Sequence, residues 1–204
     1  MANPPKYQYL TTELDPNLLS INYRSKTNWH VITGAACTGK TTLINRLAEG
    51  GYRTVDEGAR QYFEQGLAKG LTLDEIVASS EALQLGIFEM QICIESELRP
   101  DELIFLDRAL PDSLTFHRVF GLNPDELLPD CLKYQYASVF ILDRLPVLRS
   151  QTLGPEDEAS SIFLDKWLER DYRSLGYDVF RVPAISIEAR LAYILDNLTA
   201  QGFI

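Results

Sequence analysis

The chain has 204 residues, 46% hydrophobic and 24% charged, which suits one globular domain with a single sizeable core and argues against a second catalytic domain. Its 29 acidic against 19 basic side chains leave a net charge of −10, so the surface as a whole repels phosphate backbones and anionic lipid, and nucleic acid is not an expected partner. Cys37, Cys93 and Cys131 form no C-x-x-C pair, no apolar run approaches the ~18 residues of a membrane span, and residues 1–28 lack a basic, apolar leader pattern, so a reducing cytoplasmic setting is expected.

Residues 1–28, with Pro4-Pro5 and Asp15-Pro16, show no sustained period and read as an N-terminal extension. Tyr7, Tyr9, Tyr23 and Leu18-Leu19 give it apolar area with which to dock in part on the body, full disorder being the alternative. Residues 29–204 form the expected domain. The run 29–33 predicts a strand and 41–49 a helix stopped by Gly50-Gly51; 52–55 predicts a second strand and 57–65 a second helix. A long helix is predicted over 72–99, its apolar stripe broken by one six-residue gap around Ser80 and closed by Pro100. The uninterrupted apolar runs 103–106 and 138–142 end at Asp107 and Asp143 and read as strands buried on both faces. A helix ending near Leu175, a fifth strand at 177–182 and a closing helix at 186–198 capped by Ser186 complete the pattern. Such alternation predicts an α/β fold with a five-stranded parallel sheet covered on both faces.

Gly34-Ala35-Ala36-Cys37-Thr38-Gly39-Lys40-Thr41-Thr42 fills every fixed position of the phosphate-binding pattern G-x-x-x-x-G-K-[ST], between a predicted strand and a predicted helix. Glycines at its ends let the chain turn so that backbone N–H groups face a nucleotide's phosphates. Lys40 reaches the β and γ oxygens, Thr41 offers its hydroxyl to Mg2+, and the helix N-terminus adds positive potential.

Ligands in open parallel sheets bind beyond the carboxyl ends of the strands, which directs attention to the polar residues that follow each apolar run. Asp107 has the form of a Mg2+-positioning aspartate, with a helix cap or a structural ion pair as the alternative. Arg108 suits bidentate pairing with a phosphate or carboxylate, or a salt bridge to Glu57 or Asp112. Glu57 is placed to accept the proton of an attacking hydroxyl, although Glu is also favourable at any helix N-terminus. Arg60, three residues on, is expected on the same side, where it would grip the acceptor or the γ-phosphate. Arg144 and Arg149 precede the acid-rich stretch 154–158, where a lid would sit and its arginines would neutralise charge on the transferred phosphoryl group, or else a solvated loop. Gln84 and Gln91 are expected on the exposed face of the long helix, the alternative being a contact to an acceptor's ring. Cys37 is read as a small residue tolerated in the loop, and His30 and His117 share no metal-ligand spacing.

With the phosphate loop, Glu57-x-x-Arg60, Leu106-Asp107-Arg108, Pro111-Asp112-Ser113 and Val182-Pro183 … Ser186-x-Glu188-x-Arg190 in place, the chain resembles the small AAA-type ATPase family of P-loop proteins. That family is related to the ribosylnicotinamide kinase domain of bacterial NAD regulators, and the resemblance covers about residues 29–198. It implies a three-layer, nucleoside-kinase-like fold with strand order 2-3-1-4-5, and ATP or GTP with Mg2+ as ligands. The helical domain of a ring-forming AAA motor is missing, as are the N-K-x-D and D-x-x-G motifs of a Ras-like switch; the sparse lid departs from well-studied kinases. The expected function is γ-phosphoryl transfer from a nucleoside triphosphate to a small hydroxyl acceptor. The alternative is a nucleotide-dependent regulator of a protein partner, a role kept open because the family includes part of an animal TRPL translocation defect protein. A homodimer is left open.

Overall fold

The computed structural model describes residues 7–19, 22–145 and 158–204, and across them strands and helices alternate as the patterning implies. The elements are β1 (Ser25–Lys26), β2 (Trp29–Thr33), α1 (Lys40–Glu49), β3 (Arg53–Val55), α2 (Gly58–Ala68), α3 (Leu73–Ile76), α4 (Ser80–Ser96), β4 (Ile104–Asp107), α5 (Asp112–Val119), a 3-10 turn at Pro124–Leu127, α6 (Leu128–Cys131), β5 (Tyr134–Gln135), β6 (Ser138–Leu142), α7 (Glu158–Ser174), β7 (Val179–Val182) and α8 (Ile187–Ala200).

Five parallel strands form the main sheet in the order β3-β4-β2-β6-β7, which, counting only these strands along the chain, is 2-3-1-4-5. Its three central strands are buried along their whole length, and the two-residue period of the backbone divides their side chains between two cores. Val31, Ile104, Leu106, Val139 and Ile141 point to one face, where they meet Leu110 and Leu114 of the α5 region and Leu168 and Tyr172 of α7. Ile32, Phe105, Phe140 and Leu142 point to the other, against Leu43, Ile44 and Leu47 of α1 and Ile194 and Leu198 of α8. The result is a three-layer α/β fold with its central strand β2 running straight into the phosphate loop.

The predicted helix over 72–99 is two helices. Thr72 opens α3 with a capping box to Glu75, and Ser79 opens α4 by accepting from the Ala82 N–H at 3.3 Å. The gap in the apolar stripe around Ser80 marks this break, and α4 ends at Ser96, ahead of Pro100. The elements not expected from the sequence are α5, the 3-10 turn at Pro124–Leu127, α6, and the two-residue strands β1 and β5, these strands pairing in parallel through Ser25–Tyr134 and Lys26–Gln135. The second helix starts one residue later than predicted, leaving Glu57 as its N-cap.

The described part of the segment before β2 is anchored to the body at several points, Leu19 among them, whereas Leu18, also expected to dock, is exposed. Gln8 and Leu10 donate backbone N–H groups to Val119 and Arg118 carbonyls at 3.0 and 2.8 Å, and Leu14 is 3% exposed within the main core. Tyr9 and Tyr7 pack against Phe163 and Phe120, and the Tyr23 hydroxyl donates to the Leu175 carbonyl at 2.7 Å.

Candidate functional site

The phosphate loop is held open by its own backbone. Gly34 has φ 151°, and a Cβ there would lie 3.0 Å from the Leu142 carbonyl of the neighbouring strand, so a side chain would push β6 away. Gly39 enters α1 in the left-handed conformation, no side chain caps that helix, and its first N–H groups are therefore left for a ligand. From beneath, buried Arg190 of α8 donates to three carbonyls: Thr38 inside the loop, Asp143 after β6 at 3.2 Å, and Pro183 after β7 at 2.8 Å. Thr38 closes the turn with a hydroxyl bond to the Ala35 carbonyl at 3.1 Å. Thr41 and Thr42 are exposed, as is Cys37.

Across the loop, the tips of β3 and β4 bring Glu57, Asp107 and Arg108 together. Arg108 donates from Nε to Glu57 at 3.0 Å and from Nη1 to Asp112 at 3.1 Å, so both salt bridges weighed from the sequence are formed. Asp112 is 2% exposed and fully engaged: it also accepts from the Thr33 hydroxyl, the Ala109 N–H at 3.1 Å and the Tyr172 hydroxyl at 2.6 Å. Among the described residues, the non-glycine side chains with positive φ are Cys37 at 57° and Arg108 at 68°, both in this site; a left-handed arginine is a strain that the surrounding contacts must hold.

Asp107 is placed differently. It is 4% exposed, and its Oδ1 is buried with no hydrogen-bond partner. Burial pushes its carboxyl up to about 6, opposed by the charges of Lys40 and Arg108. Burial pushes the Lys40 ammonium down to about 8, with Arg108 adding to the shift and Asp107, Glu57 and Asp112 opposing it. An orphaned carboxylate oxygen beside the loop, with an exposed threonine hydroxyl at the start of α1, is an oxygen donor set that fits Mg2+.

Other sequence candidates fall elsewhere. Arg60 pairs with Asp56 at 3.3 Å, both half exposed, whereas Glu57 pairs with Arg108. Arg144 pairs with Glu158 at the start of α7. Arg149 and residues 146–157, where a lid was expected, lie outside the described residues. Gln84 and Gln91, expected on the exposed face, are buried, at 6% and 4% exposure: they share the buried side of α4 with Phe88 and Glu95, and the start of α2 lies over Gln91. Gln91 is bonded to Gly58 and to Glu95, an acid with no exposure at all. A carboxylate at heptad spacing from Phe88, on the buried side of a helix, was the readable signal of that network.

A family model described as an AAA domain matches residues 29–190, whereas no curated protein sequence matches the chain. Among solved structures the chain is similar to thymidylate kinase from Candida albicans, with TM-score 0.59 and 13% identity over 87% of this chain and 93% of that one. Deoxyadenosine kinase from M. mycoides with bound dATP gives TM-score 0.59 and 17% identity, over 84% of this chain and 98% of that one. NadR protein in complex with NR gives TM-score 0.63 and 17% identity, over 87% of this chain but 52% of that one. At such identities the likeness is one of fold. With the phosphate loop inside the matched span, the chain belongs to this AAA-domain family of P-loop proteins, and its fold is that of the nucleoside and nucleotide kinases.

Proposed function

We propose that the protein is a Mg2+-dependent kinase that transfers the γ-phosphoryl group of ATP, or of GTP, to a hydroxyl of a small acceptor. The observation that supports this most is the buried, unpartnered Asp107 oxygen at the tip of β4, within electrostatic reach of the loop lysine and of the Glu57–Arg108 pair. A structural aspartate in that position would be bonded, as Asp112 is.

In this reading the N–H groups of residues 34–42 and Lys40 hold the phosphates, while Thr41 and Asp107 hold Mg2+. The metal, when bound, offsets the negative charge of the β- and γ-phosphate oxygens. Glu57 accepts the acceptor's proton as its oxygen approaches the γ-phosphorus, and Arg108 holds that carboxylate in place and faces the transferred group. Arg60 joins the site only by leaving Asp56, and Arg144 only by leaving Glu158.

The second reading, a nucleotide-dependent regulator, is favoured by Leu67, Leu71 and Leu73, each exposed along the stretch from the end of α2 to the start of α3, which chemistry on a small molecule does not need. Two substitutions test the assignment of roles. Asp107→Asn weakens Mg2+-dependent nucleotide binding and turnover, with partial recovery at high metal. Glu57→Gln keeps ATP–Mg2+ affinity and lowers turnover by about 10² to 10⁴, read first as basal ATP hydrolysis. Loss of affinity in Glu57→Gln with retention in Asp107→Asn reverses the assignment.

A further inference from the structure

Glu57 and Arg108 sit on different arms of the fold, one opening α2 and the other following β4, yet their side chains meet at 3.0 Å. What sets the spacing of the two arms lies beneath them. Glu57 occupies the N-cap of α2 but makes no capping bond with its side chain. A helix start leaves its first N–H groups without intrahelical partners, and a buried one left unbonded keeps the full cost of its lost hydration. Here the Gly58 N–H is bonded from another helix: Gln91 Oε1 of α4 accepts it at 3.0 Å. Gln91 thereby anchors the backbone immediately after Glu57, whose carboxylate reaches Arg108.

The amide of Gln91 is itself held, donating from Nε2 to Glu95 Oε1 at 2.9 Å. That same oxygen accepts the Leu110 N–H at 3.0 Å, two residues beyond Arg108, and Glu95 Oε2 accepts the Tyr136 hydroxyl at 2.7 Å. Along the second arm the Arg108, Ala109 and Leu110 N–H groups are bonded in turn to Ile32, Asp112 and Glu95, which holds Arg108 at its positive φ. One buried carboxylate oxygen therefore ties both arms, through Gln91 on one side and directly on the other. The packing leaves no slack: a Cβ on Gly58 would lie 2.9 Å from Gln91 Oε1 and 3.1 Å from the Gln91 backbone nitrogen.

We propose that Gln91 and Glu95 are positioning residues that set the Glu57–Arg108 pair for proton acceptance from the hydroxyl substrate, without touching substrate or nucleotide themselves. This rests on the acceptor-side reading of Glu57 given above. Burial of a carboxylate with no cationic partner bonded to it is a stability cost that a plain core residue would not carry, which fits retention for geometry.

The test uses the full chain and three measurements: the dissociation constant for ATP–Mg2+, the rate of ATP hydrolysis, and hydrogen exchange at Gly58 and Leu110. Gln91→Met, which keeps size and removes both bonds, should lose protection at Gly58, lower turnover by about tenfold or more, and keep nucleotide affinity within about twofold. Glu95→Leu should do the same at Leu110 as well, and Glu95→Gln, which retains an acceptor for both N–H groups and can donate to the tyrosine oxygen, should restore most of the turnover. If Gln91→Met does not fold, Gln91→Glu takes its place: its carboxyl bonds Glu95 only while a proton is shared, so its turnover should fall with rising pH relative to wild type. Loss of Gly58 protection with unchanged turnover overturns the positioning role and leaves the kinase reading intact. An unchanged rate in Glu57→Gln overturns the acceptor-side reading itself, and the positioning role falls with it. Equal losses of affinity and rate would reduce Gln91 to a general stabiliser and also overturn the proposal.

Discussion

At the residue scale, the groups that face the phosphate loop carry charge under conditions that favour the neutral forms, and pH reads this directly. Asp107 ionises near 6 in the folded chain against 3.8 as its ordinary value. The folded state thus binds the proton more tightly, and stability is lost as pH rises from about 4 to about 6 and stays lost above. Asp107→Asn removes that cost, so ligand-free protein should gain up to about 3 kcal/mol at pH 8 and little at pH 4, measured by urea unfolding. Saturating ATP–Mg2+ should reverse the ranking by stabilising wild type more. Lys40, lowered to about 8 when ligand-free, would be held protonated by bound phosphate oxygens. Affinity for ATP–Mg2+ should then fall by up to about tenfold per pH unit above 8, and calorimetry on Lys40→Ala should show weak binding without that slope. The loop, Asp107 and Arg108 were legible because fixed spacing and strand ends carry them. Arg60's partner and the burial of Gln91 were not, since what a helical side chain meets depends on which elements pack on its helix.

At the scale of elements, the clamp between α5 and α7 shows how the N-terminal segment enters the fold. Arg118 and Asp171 form an ion pair at 3.0 Å with almost no exposure, Thr115 donates to the same carboxylate at 2.8 Å, and the Arg118 guanidinium lies 4.3 Å from the Trp167 ring centre. Its remaining nitrogen donates to the Thr12 carbonyl. Leu14→Ala should therefore destabilise the protein by about 2–5 kcal/mol, as a core truncation does, with ATP–Mg2+ affinity unchanged; a cost under about 0.5 kcal/mol in urea melts would show that the segment is a surface attachment. Tyrosines and a Leu-Leu pair signalled docking, but nothing local named α5 and α7 as the acceptor surface. The break between α3 and α4 was written in Thr72 and Ser79, whose caps override a stripe of nearly continuous helical period.

At the scale of the whole molecule, a parallel sheet buried on both faces delivers the ends of β2, β3 and β4 to one edge, and that edge holds the phosphate loop, Glu57 and Asp107. The alternation of strands and helices was readable from uninterrupted apolar runs. The strand order came through resemblance, because periodicity does not say which strands are neighbours. On a body of net charge −10, this edge gathers Lys40 and Arg108 among the carboxylates of Glu57, Asp107 and Asp112, and in the proposed reading the two cations and the helix N-terminus would draw the phosphates. The most direct measurement is mass spectrometry of small molecules after incubating the protein with ATP and Mg2+ and a panel of nucleosides, nucleotides and hydroxylated vitamins. A phosphorylated member of the panel that forms with wild type and not with Lys40→Ala is the predicted result. Nucleotide hydrolysis with no phosphorylated product anywhere in the panel, at a rate that Glu57→Gln leaves unchanged, would contradict the kinase account.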